Sequence, residues 1–126
     1  ASYYNLTTVR TMEIDIAVHR KYKVRNLPDW PEVKVYYFSD ERYKTGIVDI
    51  NEDGHHFKIY DIEKTVVDVI YYREKIGIED TKEILINYLK RKDRDLNVLY
   101  NYAKNLKCEK ILKSYMEVLL WFQPHL

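Results

Sequence analysis

The pattern of apolar and polar positions changes its period near residue 60. In EIDIAVH, residues 13–19, Ile14, Ile16 and Val18 alternate with Glu13, Asp15 and His19, the period of two that a half-buried strand shows. VKVYYF, residues 33–38, is dense in β-branched and aromatic side chains, as strands are. The proline-punctuated NLPDWP lies between the two and reads as a loop. TGIVDI (45–50) and HFKIY (56–60) flank Asn51-Glu52-Asp53-Gly54, a hairpin turn in which Gly54 is free to take positive φ.

After Tyr60 the period is helical. Asp61 reads as an N-cap, with Glu63 in the positively polarised first turn. Gly77 is placed to close that helix as a left-handed C-cap. Asp80, with Glu83 three residues on, predicts a capping box opening a second helix that buries Ile84, Leu85, Tyr88 and Leu89. A third helix starts near Asp95 and packs Leu96, Leu99, Tyr100, Ala103 and Leu106. The last packs Ile111, Leu112, Tyr115, Met116, Leu119 and Leu120 and ends before Pro124. Strands followed by helices predict one α+β domain over 1–126, a small N-terminal β-sheet of about four strands packed against a C-terminal bundle of about four helices.

Composition narrows the function classes. The 126 residues are one domain's worth and 46% are apolar, which argues against disorder. Basic and acidic residues balance, 21 against 20, so total charge does not announce a nucleic-acid binder. Their distribution is polarised: residues 61–83 hold seven acidic and four basic side chains, and residues 90–113 hold eight basic and three acidic. The single cysteine, Cys108, permits no intrachain disulfide and no multi-cysteine zinc site, which suits a reducing, cytoplasmic location. No apolar run approaches the roughly 18–20 residues of a membrane span, so no membrane partner is expected, and the start ASYYNLTT lacks a signal-peptide plan. With only Gly46, Gly54 and Gly77 there is no Gly-rich phosphate loop.

Four constellations bear on chemistry. Asp15, Glu32 and Lys34 have the D-x16-E-x-K spacing of a PD-(D/E)xK metal-dependent nuclease: two carboxylates for a divalent cation and a lysine for the developing charge. The bland reading is a solvated strand face. His55-His56, adjacent on a strand, point to opposite faces and do not chelate one ion; His19 and His125 are isolated, and Cys108 has no activating partner. No metal or cofactor is expected. Lys90, Arg91, Lys92 and Arg94 cluster at a helix end, and Lys104, Lys107, Lys110 and Lys113 recur at three-residue spacing, as on one helix; this basic face could meet phosphates or an acidic protein, or it is the ordinary exposed lysine of helices. The pairs Tyr3-Tyr4, Tyr36-Tyr37 and Tyr71-Tyr72 each have room for one buried and one exposed ring, the exposed one suited to a protein interface, which leaves a homodimer open.

Several stretches, in order along nearly the whole chain, resemble the C-terminal domain of AbiEi-type antitoxins of bacterial type IV toxin–antitoxin and abortive-infection (phage-defence) systems. Tyr3 to Thr8 is similar to the family's SYHGLTT, Ile14 to Val18 to its I-x-IAV strand, and Tyr60-Asp61-Ile62-Glu63-Lys64-Thr65-Val66-Val67-Asp68 to its YDxERTxxD signature. Arg73 to Gly77 and Tyr88 to Leu96 resemble the helices that follow. Lys64 stands where the family shows arginine, Asn5 where it shows glycine, and His19 where it shows proline. The resemblance implies a non-enzymatic transcriptional regulator with a winged-helix DNA-binding domain N-terminal to this one. Nothing in this sequence matches that domain, so the chain reads as the C-terminal domain alone. Its implied partners are operator DNA, through the full-length protein, and a nucleotidyltransferase-like toxin counteracted without a stable complex. In the signature, Tyr60, Asp61, Glu63, Lys64, Thr65 and Asp68 are then expected to be structural.

Overall fold

The computed structural model describes residues 13–19 and 32–122, with the backbone alone at 13–16, 19 and 32–34. The described residues fall into two units that divide between Thr45 and Gly46.

In the first unit, β1 (Glu13–His19) and β2 (Glu32–Phe38) pair in parallel. Parallel neighbours need a crossover of about a dozen residues, and residues 20–31 supply that length. Along β2 the pleat alternates Tyr36 and Phe38 buried with Tyr37 48% exposed. Ser39 then turns the chain into α1 (Asp40–Lys44). Its hydroxyl accepts the Arg42 amide at 3.4 Å, and Asp40 and Glu41 occupy the first turn.

The second unit opens with the antiparallel hairpin β3 (Ile47–Glu52) and β4 (His55–Tyr60). Asp53 and Gly54 close it, with φ of 51° and 78°. Two successive positive φ values match the twist of the flanking strands, and Asp-Gly is a favoured pair for such a turn. The turn is thus shorter than the expected four residues. Five helices follow: α2 (Ile62–Tyr71), α3 (Arg73–Ile76), α4 (Ile78–Leu89), α5 (Leu96–Asn105) and α6 (Glu109–Phe122). The contiguous core is helical, drawn from α2, α4, α5, α6 and the α5–α6 turn, with Val66, Ile70, Leu85, Tyr88, Leu99 and Leu112 at its centre.

The fold is α+β, but its layout departs from the expectation. Among the described residues two sheets of two strands replace one sheet of four, because the helix capped by Ser39 follows β2 at once and prevents a β2–β3 hairpin. Among the described residues there are six helices rather than four, the two extra ones (α1 and α3) being about one turn each. The first long helix does not reach Gly77. It breaks at Tyr72 (φ −97°, ψ 23°), where the apolar stripe gives way to Arg73-Glu74-Lys75 and α3 buries nothing. Gly77 has φ 104° and ψ 143°, positive but outside the left-handed helical region. It precedes α4, whose first turn is closed by the Thr81 hydroxyl donating to the Gly77 carbonyl at 2.7 Å. Asp80 is therefore already inside the helix and forms no capping box. The expected face of α4 is the buried one, and on the α5 face Leu99, Ala103 and Leu106 are buried while Leu96 and Tyr100 are half-buried. On α6, Leu112, Met116 and Leu119 are buried but Leu120 is exposed, being turned about 100° past Leu119.

Candidate functional site

The stretch Tyr60 to Asp68 joins β4 to α2, and its charges point inward. Asp61 has extended φ,ψ, and its Oδ1 accepts the Lys64 amide at 2.8 Å, an N-cap bond. Its backbone N–H donates to the Gly46 carbonyl at 2.7 Å, and its own carbonyl takes the Thr65 hydroxyl at 2.9 Å. Lys64 is 0% exposed. Its ammonium lies 2.5 Å from Asp68 Oδ2 and 3.9 Å from the Tyr60 ring centroid, so one carboxylate and one π face replace its water. Gly46 (φ 79°) makes room for this: a Cβ there would sit 2.6 Å from Lys64 Cβ.

Two longer-range links extend the junction into the helices. Tyr102 Oη, on α5, donates to Asp61 Oδ2 at 2.6 Å. Tyr88 Oη, on α4, donates to Glu63 Oε2 at 2.7 Å, and the Asp95 amide is shared between that oxygen at 3.2 Å and Tyr88 Oη at 3.1 Å. Glu63 on α2 thereby ties α4 to the N-cap of α5. Burial, reinforced by the neighbouring carboxylates, pushes the Tyr102 phenol up to about 12 and raises the Tyr88 phenol further. Among the described residues no buried side-chain nitrogen or oxygen lacks a hydrogen-bond partner. The acids of the signature thus accept from backbone amides, two phenols and one ammonium, and Lys64 is fully buried.

The basic residues are arranged otherwise. Lys90 caps α4, and the Arg94 guanidinium donates to the Leu89 carbonyl, closing the end of α4. Arg91 forms a two-pronged pair with Asp93 at 2.8 and 2.9 Å and holds that carboxyl below its ordinary range. Lys104, Lys107, Lys110 and Lys113 do not share one helix. Lys104 is in the last turn of α5, Lys107 lies in the turn, and Lys110 and Lys113 are on α6. The periodicity broke because Lys107 takes φ 63°. Its amide donates to the Lys104 carbonyl and the Cys108 amide to the Ala103 carbonyl, at 3.3 and 2.9 Å, the two bonds of a Schellman stop. Lys113 pairs with Glu109 at 2.8 Å, which raises its pKa and lowers that of Glu109. Lys90, Lys92, Lys104, Lys107 and Lys110 are exposed. The basic residues therefore occupy two turns, one before α5 and one after it, about 15 Å apart along a ten-residue helix.

The remaining candidates place as follows. The backbone register sets Asp15 beside Lys34 and Glu13 beside Glu32; the side chains of this trio lie outside the described residues, as do those of His19 and His125 and the pair Tyr3-Tyr4. His55 and His56 face Glu52 and Asn51 across the hairpin and are exposed. Among the described residues no group of three or more His, Cys, Asp or Glu could hold a metal ion, and no helix is long and apolar enough to cross a membrane. Cys108 is buried at the Schellman turn. Sequence reasoning missed Gly46, Tyr88 and Tyr102 as members of the junction; the phenols are 25 and 41 positions from their carboxylates, and the scarcity of glycine was the one local hint. No protein-family model matches the chain, and no curated protein matches it.

Proposed function

We propose that the chain is a non-enzymatic regulatory domain of the AbiEi antitoxin kind, which counteracts a nucleotidyltransferase-like toxin and, in a full-length protein with a winged helix, supports autorepression at operator DNA. The likeness of Tyr60 to Asp68 to the family signature motivates the reading. The observation that supports it most is the full burial of Lys64, its ammonium held by Asp68 and the Tyr60 ring, which agrees with a structural role for the signature and leaves the exposed lysines as the chemically available charge. In this reading Lys90 and Lys92 before α5, and Lys104, Lys107 and Lys110 after it, meet phosphates, while Arg91 and Arg94 shape the first turn.

Reversing Lys90, Lys92, Lys107 and Lys110 to glutamate in the full-length protein weakens operator binding by about tenfold or more and flattens its salt dependence, because fewer counterions are released. The same variant loses rescue from the toxin. Unchanged binding and unchanged rescue remove the basic residues from the account. A second reading, a metal-dependent nuclease, draws on the register that sets Asp15 beside Lys34; magnesium-dependent cleavage abolished by Asp15→Ala is the result that carries it instead.

A further inference from the structure

Helix α6 has more apolar surface than its own core uses. Leu112, Met116 and Leu119 make its inward seam. Over the last two turns Val118, Trp121 and Phe122 are 55%, 82% and 76% exposed. Residues three and four apart on a helix are neighbours, so these three form one patch. Single exposed apolar residues are ordinary, but a contiguous aromatic patch marks a contact.

The outward face of the same helix changes character along its length. Its N-terminal half carries Lys110 and Lys113, and its C-terminal half carries Glu117 before the aromatic patch. Lys110, Glu117 and Trp121, at spacings of seven and four, lie along one line of the helix. Such a face complements itself when reversed: basic half against acidic and aromatic half. A surface of that kind suits a two-fold contact between identical chains, in which residue i meets j and j meets i. A parallel pairing would set lysine against lysine.

We propose that α6 is a self-association surface, occupied by α6 of a second copy of this chain running antiparallel to it. The ammonium of Lys110 then lies on the indole of Trp121 of the second copy. Lys113, which also pairs with Glu109 of its own chain, faces Glu117 of the second copy. Val118 and Phe122 fill the space beside this line. The inference stands on one helix and is independent of the antitoxin reading.

Sedimentation equilibrium of the 126-residue chain tests it. The wild type shows a monomer–dimer equilibrium over a micromolar dilution series. Trp121→Asp raises the dissociation constant by about tenfold or more with an unchanged circular dichroism spectrum. Glu117→Lys and the pair Lys110→Glu with Lys113→Glu each weaken self-association. The two variants mixed together associate more tightly than either does alone, because both contacts between positions 113 and 117 are again of opposite charge while one of the two Lys110–Trp121 contacts remains. A wild type that stays monomeric, a dimer indifferent to Trp121→Asp, or a charge-swapped mixture that does not associate overturns the proposal.

Discussion

The start of α2 and the turns on either side of α5 are both rich in charge, and they use it in opposite ways. At the start of α2, Asp61, Glu63, Lys64 and Asp68 are turned inward, each against a named amide, phenol, ammonium or carboxylate. Around α5, five lysines stay in water, and the arginines beside them cap and brace the turn. The charges at the start of α2 therefore form a joint, while Glu74, Glu79 and Asp80 further along the acidic segment are exposed, as the five lysines around α5 are. A count of charges along the chain shows where each sign collects, but burial decides which charges are free to meet another molecule.

Substitutions divide the two regions, beginning with the most damaging. Gly46→Ala costs about 3 kcal/mol in urea unfolding, from a left-handed backbone that alanine dislikes and from a methyl forced onto the Lys64 stem. Tyr88→Phe keeps the ring in the core but strips the hydroxyl from Glu63 and the Asp95 amide; it costs about 1–3 kcal/mol and speeds hydrogen exchange at Asp95.

Alkaline pH acts on the same joint. Both phenols ionise above the ordinary value of 10.0 in the fold, Tyr102 at about 12. In the unfolded chain they lose their protons near 10, so the stability they contribute is fully present below about pH 10 and is lost as pH rises through the folded values. Urea midpoints measured from about pH 9 to about pH 12 fall accordingly, and Tyr102→Phe flattens the fall. The smallest effect belongs to the exposed turn: Lys107→Gly at φ 63° gains about 0.5–1 kcal/mol in the same unfolding assay, since glycine takes that conformation without strain.

The same contrast explains how much was legible in the sequence. Asp61, Asp95 and Gly54 follow rules written within four residues of themselves, and each sits where its rule put it. Three further failures have local causes that compete with periodicity. Ser39 caps a helix where only strands were expected, Lys107 reverses the backbone in the middle of an apparent lysine stripe, and Thr81 closes a turn on Gly77 ahead of Asp80. Glu63 with Tyr88, and Asp61 with Tyr102, leave no such trace, because their partners are brought together by helix packing alone. The strands were each found, yet their assembly into sheets was not, since pairing depends on what intervenes between them.

The most direct test is the coupling between Lys64 and Asp68, measured by urea unfolding of Lys64→Met, Asp68→Leu and the double variant. A buried structural pair predicts a coupling of about 2 kcal/mol or more, with the double variant regaining much of what Lys64→Met loses. A coupling below about 0.5 kcal/mol, the value of a solvent-exposed pair, would contradict it.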